Sequence, residues 1–199
     1  MQTNAGKAMD NRHLVLVTGP ARSGKSEWAE NLAGQSNRSV IYVATAADYP
    51  EDEEWQTRIQ AHQQRRPTNW QTIHAPMDLA KTIQAQPKSI CLLIDSLGTW
   101  LANILDQEAE LWAVTLETLL KAMTQAECQI IVVGEETGWG VVPGYPLGRR
   151  FRDRMGELLR QIGAISDQVY LVSAGYALNL KALGIYVTPM VPLDGPKRD

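Results

Sequence analysis

A chain of 199 residues with 44% hydrophobic content can bury one substantial core, which points to one α/β domain or one domain with a small appendage. Its formal net charge of −3 argues against nucleic-acid binding, which needs a basic surface, and no run of 18 apolar residues marks a membrane span. Cys91 and Cys128 each sit in an apolar, strand-like run and read as buried free thiols, with nothing resembling metal-ligand spacing around them.

Met1 to Arg12 is polar and lacks the apolar segment of a secretory signal, so residues 1–13 read as a disordered extension and the cytoplasm as the location. Leu14-Val15-Leu16-Val17-Thr18 then reads as a buried parallel strand. It runs into Gly19-Pro20-Ala21-Arg22-Ser23-Gly24-Lys25-Ser26, which fits the phosphate-binding pattern G-x-x-x-x-G-K-[ST] at every fixed position. A chance match in a chain of this length is a ~1% event at average residue frequencies. Ser26 to Ala33 follows as a helix with Ala29, Leu32 and Ala33 on one face, and Gly34 is placed to end it. Strand, glycine loop and helix together predict nucleoside triphosphate binding. The backbone N–H groups and helix N-terminus cradle the β-phosphate, Lys25 reaches the β- and γ-phosphates, and Ser26 joins a Mg²⁺ shell.

Ser39 to Thr45 reads as a second strand whose small C-terminal residues suit a ligand cleft. Asp48 and Glu51 then have capping-box spacing, Pro50 suits a first turn, and Pro67 stops the helix they begin. On that helix Trp55, Ile59 and His62 share a face, and Gln63-Gln64-Arg65-Arg66 is polar and basic, as a phosphate-proximal turn or a solvated face would be. Ile90 to Asp95 is an apolar strand ending in a carboxylate. Beside a phosphate loop, that carboxylate is expected to help hold Mg²⁺, and otherwise to cap the next helix. Trp100 to Met123 is helical and core-facing, interrupted near Asp106-Gln107-Glu108. Gln129 to Val133 is a fourth strand, Trp139 to Arg150 a loop with three glycines and two prolines, and Phe151 to Ile165 an amphipathic helix. Val169 to Val172 is a fifth strand, and Tyr186 to Thr188 a possible edge strand before the proline-rich end. The core unit is thus expected over 14–183, with a tail over 184–199.

The phosphate loop Gly19-x-Ala21-Arg22-Ser23-Gly24-Lys25-Ser26 is shared by many families, but two stretches after it carry a far more specific resemblance: Arg58-Ile59-x-x-His62-x-x-x-Arg66-Pro67-x-x-Trp70-x-Thr72 and Glu136-x-Gly138-x-Gly140-Val141-Val142-Pro143. With Asp95-Ser96-Leu97-x-x-Trp100-Leu101-x-Asn103 and Arg150-Phe151-Arg152-Asp153-x-x-Gly156 between and after them, the chain from Leu14 to Lys181 resembles the bifunctional adenosylcobinamide kinase/guanylyltransferase family of cobalamin synthesis. The resemblance implies a three-layer P-loop NTPase fold with a mostly parallel central sheet, and assembly as a homotrimer. It implies phosphorylation of the aminopropanol hydroxyl of adenosylcobinamide with ATP or GTP. It also implies transfer of GMP from GTP to that phosphate through a guanylylated histidine, His62. Nucleotide contacts would fall on Gly19, Pro20, Ala21, Arg22, Ser23, Gly24, Lys25 and Ser26, and on Ala44, Thr45 and Ala46. They would continue through Gln63, Gln64, Arg65 and Arg66 to His74 and Asp95, with Mg²⁺ on Ser26 and Asp95. Where the family usually carries Glu, this chain has His74, and Glu135 stands where it usually has a small polar residue. Six tryptophans against one phenylalanine, with Trp112 and Trp139 in segments not expected to be wholly core, agree with subunit contacts. A small-molecule kinase in which His62 only packs, and a nucleotide-switched binding module without transfer activity, are the rival readings.

Overall fold

The computed structural model describes residues 13–47, 51, 57 and 64–187. Of the helix expected between Asp48 and Pro67, Glu51, Thr57 and 64–67 are described, with Thr57, Gln64 and Arg65 helical; the shared face of Trp55, Ile59 and His62, Gln63, the extension up to Arg12, and Thr188 onward lie outside the described residues.

Apolar runs without alternation can be satisfied only in a sheet covered on both faces. Among the described residues seven strands form that sheet: β1 (Leu14–Gly19), β2 (Ser39–Ala44), β3 (Gln71–His74), β4 (Ile90–Asp95), β5 (Gln129–Glu135), β6 (Gln168–Ser173) and β7 (Tyr176–Asn179). Their order is β3-β2-β4-β5-β1-β6-β7. The pairs from β3 through β6 are all parallel, and β7 alone runs antiparallel to its neighbour. In β1, Leu14 and Leu16 face one layer while Val15 and Val17 face the other. Helix α1 (Lys25–Gly34) covers the second face with Ala29, Leu32 and Ala33. The first face is covered by α2 (Leu79–Gln84), α3 (Leu97–Asn103), α4 (Ala109–Gln125) and α5 (Pro146–Ile165), and a short α6 (Leu180–Leu183) follows β7. This is a three-layer α/β architecture with a mostly parallel central sheet, as expected. Cys91 and Cys128 are free and buried on opposite faces of the sheet, and burial pushes their thiols up to about 12 and about 11.

Several expectations need correction. Trp112 belongs to the core: it is only 6% exposed, its ring centroid lies 6.4 Å from that of Trp100, and its Nε1 donates to Glu157 Oε2 at 3.0 Å. Tyr186 and Val187 are in no strand. The edge position beside β6 goes to β7, through a two-residue turn in which Ala174 (φ 49°) and Gly175 (φ 79°) both adopt left-handed backbone and Ser173 pairs with Tyr176. Helix α5 starts at Pro146, inside the expected loop, because a proline at the first helical position gives up no hydrogen bond the helix needs. Strand β3 and helix α2 were not expected; each is short, and β3 is an edge strand with one apolar side chain in four.

Candidate active site

Parallel strands all end on one edge of the sheet, and that edge gathers most of the described residues singled out above. Registers place Ala44 of β2 beside His74 of β3 and Asp95 of β4, and Gly19 of β1 beside Glu135 of β5. Strand β5 therefore separates the strand that ends in Asp95 from the strand that feeds the glycine loop.

The glycine loop is shaped by two backbone positions. Gly19 (φ 155°) lies so close to β6 that a Cβ would sit 2.2 Å from the Val172 carbonyl oxygen. Gly24 (φ 94°) is the left-handed residue preceding α1, and its carbonyl accepts the Trp28 N–H at 2.9 Å. Lys25 is buried, with Nζ donating to the Pro20 carbonyl at 3.2 Å, so the ammonium folds back over the loop. Ser23 Oγ is buried with no hydrogen-bond partner among the described residues, which leaves a polar group inside the cradle for a ligand to satisfy. Pro20, Gly24 and Ser26 are half-buried, and Ala21 and Arg22 exposed, Arg22 at a φ of 58°.

Asp95 is half-buried and accepts the Tyr42 hydroxyl at 3.1 Å. Burial above all, and then the Asp95 charge, push the Tyr42 phenol well above its ordinary range, so it stays a donor. The Arg66 guanidinium stacks over the Tyr42 ring at 3.2 Å from its centroid. Arg65 pairs with Glu27 Oε1 at 3.0 Å and Glu30 Oε1 at 3.3 Å, both on α1. Burial raises the Glu30 carboxyl, opposed by Arg65. The Gln64–Arg66 segment is thus docked on the helix that follows the glycine loop, with Arg66 beside Asp95's partner. Thr45 is fully buried: its hydroxyl bonds the Ser96 backbone and Thr99 Oγ1, and its carbonyl accepts Asn103 Nδ2 at 2.8 Å. That hydroxyl braces the start of α3, and its neighbours Ala44 and Ala46 are half-buried. His74 is exposed at the end of β3.

Glu135, standing where the resembled family usually has a small polar residue, is half-buried at the end of β5. Its carboxylate accepts the Ser96 hydroxyl and the Gly98 N–H (2.8 Å), tying the end of β5 to the turn after Asp95. Burial raises its carboxyl above the ordinary range, a shift that the nearby Lys25 charge opposes and Asp95 reinforces. Sequence reading also missed Thr18, whose hydroxyl donates to Glu136 Oε1 at 3.1 Å, and the Tyr42–Asp95 pair. The signal for the latter was an apolar strand carrying one tyrosine two residues before its C-terminal end.

Mg²⁺ takes hard oxygen donors, usually one or two from protein with the rest from phosphates and water. Ser26 and Asp95 supply such oxygens, and no larger cluster of acidic, histidine or cysteine side chains forms a closed cage among the described residues. The donor set fits an ion shared with a nucleotide.

Residues 15–180 match the family described as cobinamide kinase / cobinamide phosphate guanyltransferase. The bifunctional adenosylcobalamin biosynthesis protein CobP of Pseudomonas aeruginosa PAO1 is 40% identical over 169 residues, covering 83% of this chain and 96% of its own. CobU of Escherichia coli K12, of the same description, is 33% identical over 184 residues, covering 84% and 99%. A solved structure from Pyrococcus horikoshii OT3 overlays with a TM-score of 0.54 at 6% identity, over 90% of this chain and 93% of that one. No helix among the described residues is long and apolar enough to cross a membrane.

Proposed function

The chain belongs to the cobinamide kinase / cobinamide phosphate guanyltransferase family, and on that footing we propose that it performs two transfers at the glycine-loop edge of its sheet. In the first, the γ-phosphoryl of ATP or GTP passes to the aminopropanol hydroxyl of adenosylcobinamide. In the second, GMP passes from GTP to the new phosphate. The observation that carries this reading is the convergence of the glycine loop, Asp95 and the Gln64–Arg66 segment, which follows His62 by two residues in sequence.

In the kinase step the loop amides hold the β-phosphate, Ser23 Oγ gains a partner, and the Lys25 ammonium leaves the Pro20 carbonyl for the γ-phosphate oxygens. Phosphoryl transfer is catalysed mostly by such positioning and charge neutralisation. Ser26 and Asp95 would hold Mg²⁺, which when bound neutralises phosphate charge; Tyr42 keeps the Asp95 carboxylate oriented. In the second step a ring nitrogen of His62 attacks the α-phosphorus of GTP, forming a P–N bond as the bond to pyrophosphate breaks. An oxygen of the corrinoid phosphate then displaces the imidazole. Arg65 and Arg66, now held by Glu27, Glu30 and the Tyr42 ring, follow His62 closely in sequence and would receive triphosphate charge. His74 would stand beside the nucleotide at the edge next to Ala44.

Corrinoid-dependent release of ADP or GDP, measured with cobinamide added and withheld, tests the kinase half. Triphosphate turnover indifferent to cobinamide would contradict it. Assembly as a cyclic homotrimer belongs to the same proposal, and light scattering at micromolar concentration checks it: a monomer refutes it.

A further inference from the structure

The segment between β5 and α5 starts in the site and ends on bare apolar surface. At its root, the Glu136 N–H donates to the Gly19 carbonyl at 3.0 Å, and Glu136 Oε1 accepts the Thr18 hydroxyl. Beyond that root Trp139 is 61% exposed, Val141 94%, Val142 56%, Tyr145 65% and Leu147 49%. Strand β5 ends, and α5 begins, on the glycine-loop edge of the sheet, so the connection lies on that edge too. It is also braced. Arg149 Nη1 donates to the carbonyls of Pro143 and Gly144 at 3.0 and 2.9 Å, fixing the apolar turn to the first turn of α5. Exposed apolar side chains set this closely along a turn held in shape mark a surface that something covers.

We propose that this segment is the acceptor face of the enzyme, seating the broad ring of the corrinoid while its aminopropanol hydroxyl reaches the γ-phosphate. The proposal rests on the kinase reading given above. Continuity with the site selects this occupant over a second copy of the chain, because the segment's first residue is hydrogen-bonded to the first residue of the glycine loop. An acceptor must approach from just such a neighbouring surface. A corrin macrocycle presents a broad ring with apolar edges, and an open face with the exposed indole of Trp139 and phenol of Tyr145 suits it. A second exposed apolar group, Tyr176, Leu178, Leu183 and Ile185, lies at the far edge of the sheet on and after β7 and is available for assembly.

The test uses the full chain with Trp139→Ala and Val141→Asp, both at exposed positions where the fold has little to lose. The KM for cobinamide in the kinase assay should rise at least tenfold in each. Equilibrium dialysis of cobinamide should show the same weakening, while the nucleotide KM, the melting temperature and the assembly state stay as in the parent. An unchanged cobinamide KM overturns the proposal. So does a rise accompanied by loss of assembly, which would make this face a contact between copies. If the parent neither binds nor phosphorylates cobinamide, the kinase reading itself falls and takes this proposal with it; a parent that turns over cobinamide alongside unaffected variants sinks this proposal alone.

Discussion

Adding one methyl group at Gly19 is the sharpest perturbation the glycine loop offers. The new carbon would lie 2.2 Å from the Val172 carbonyl oxygen and 2.9 Å from Ser23 Oγ, where ordinary contact begins at 3.4 Å. The closer atom is backbone of β6 and cannot swing aside, so the loop and β6 must part by about 1 Å. Overpacking of this kind costs about 1–3 kcal/mol, and holding alanine at a φ of 155° adds about 1–3 kcal/mol. Gly24→Ala differs in kind. Its nearest neighbour is the tip of the Glu27 side chain at 3.2 Å, so only the left-handed backbone counts, about 1–2 kcal/mol. Gly138→Ala and Gly140→Ala, with nothing within 4 Å, should stay within about 0.5 kcal/mol of the parent. Urea denaturation, reading the midpoint at constant slope, resolves all four. Gly19→Ala should be the least stable, by about 1 kcal/mol or more relative to Gly24→Ala. Equal midpoints for those two would refute the argument from close approach.

Lys25→Ala should keep the fold, since the ammonium's described hydrogen bond is to one carbonyl, yet slow corrinoid phosphorylation by about three orders of magnitude or more. Full activity in a folded variant, by circular dichroism and coupled ADP release, would remove Lys25 from the γ-phosphate. Glu135 carries a signature in pH. Its folded carboxyl titrates above the ordinary value of 4.5, so its contribution to stability is complete below that value and is lost as pH rises through the higher folded one. The stability of the parent minus that of Glu135→Gln should therefore fall as pH rises from about 4.5, on top of a constant offset because the amide has one acceptor oxygen where the carboxylate uses two, for Ser96 and Gly98. A flat difference across pH 4 to 8 would contradict the burial assigned to it.

What the sequence disclosed of this site follows from how locally each part is encoded. The glycine loop and Asp95 were legible because strand, turn and cap chemistry are consecutive in the chain: β4 ends at Asp95 and α1 buries Ala29, Leu32 and Ala33 as the spacing implies. Edge elements were not. β7 is four residues long and turns on Ala174-Gly175, which lacks the asparagine or aspartate that advertises such a turn. Trp112 was misjudged because its partners, Trp100 and Glu157, come from separate helices. The side-chain ties that set the site's electrostatics were equally hidden. Tyr42 reaches Asp95 across 53 positions, and Glu135 reaches Ser96 across 39, so only the sheet order brings them together.

The proposed second transfer rests on one nitrogen. Incubating the full chain with GTP labelled in the α-phosphate, quenching at alkaline pH where a phosphoramidate survives, and mapping the modified peptide by mass would locate it. One GMP per active site should appear on His62 and be lost in His62→Asn while cobinamide phosphorylation continues. Labelling that persists in His62→Asn, or that maps to His74 or His13, would contradict it.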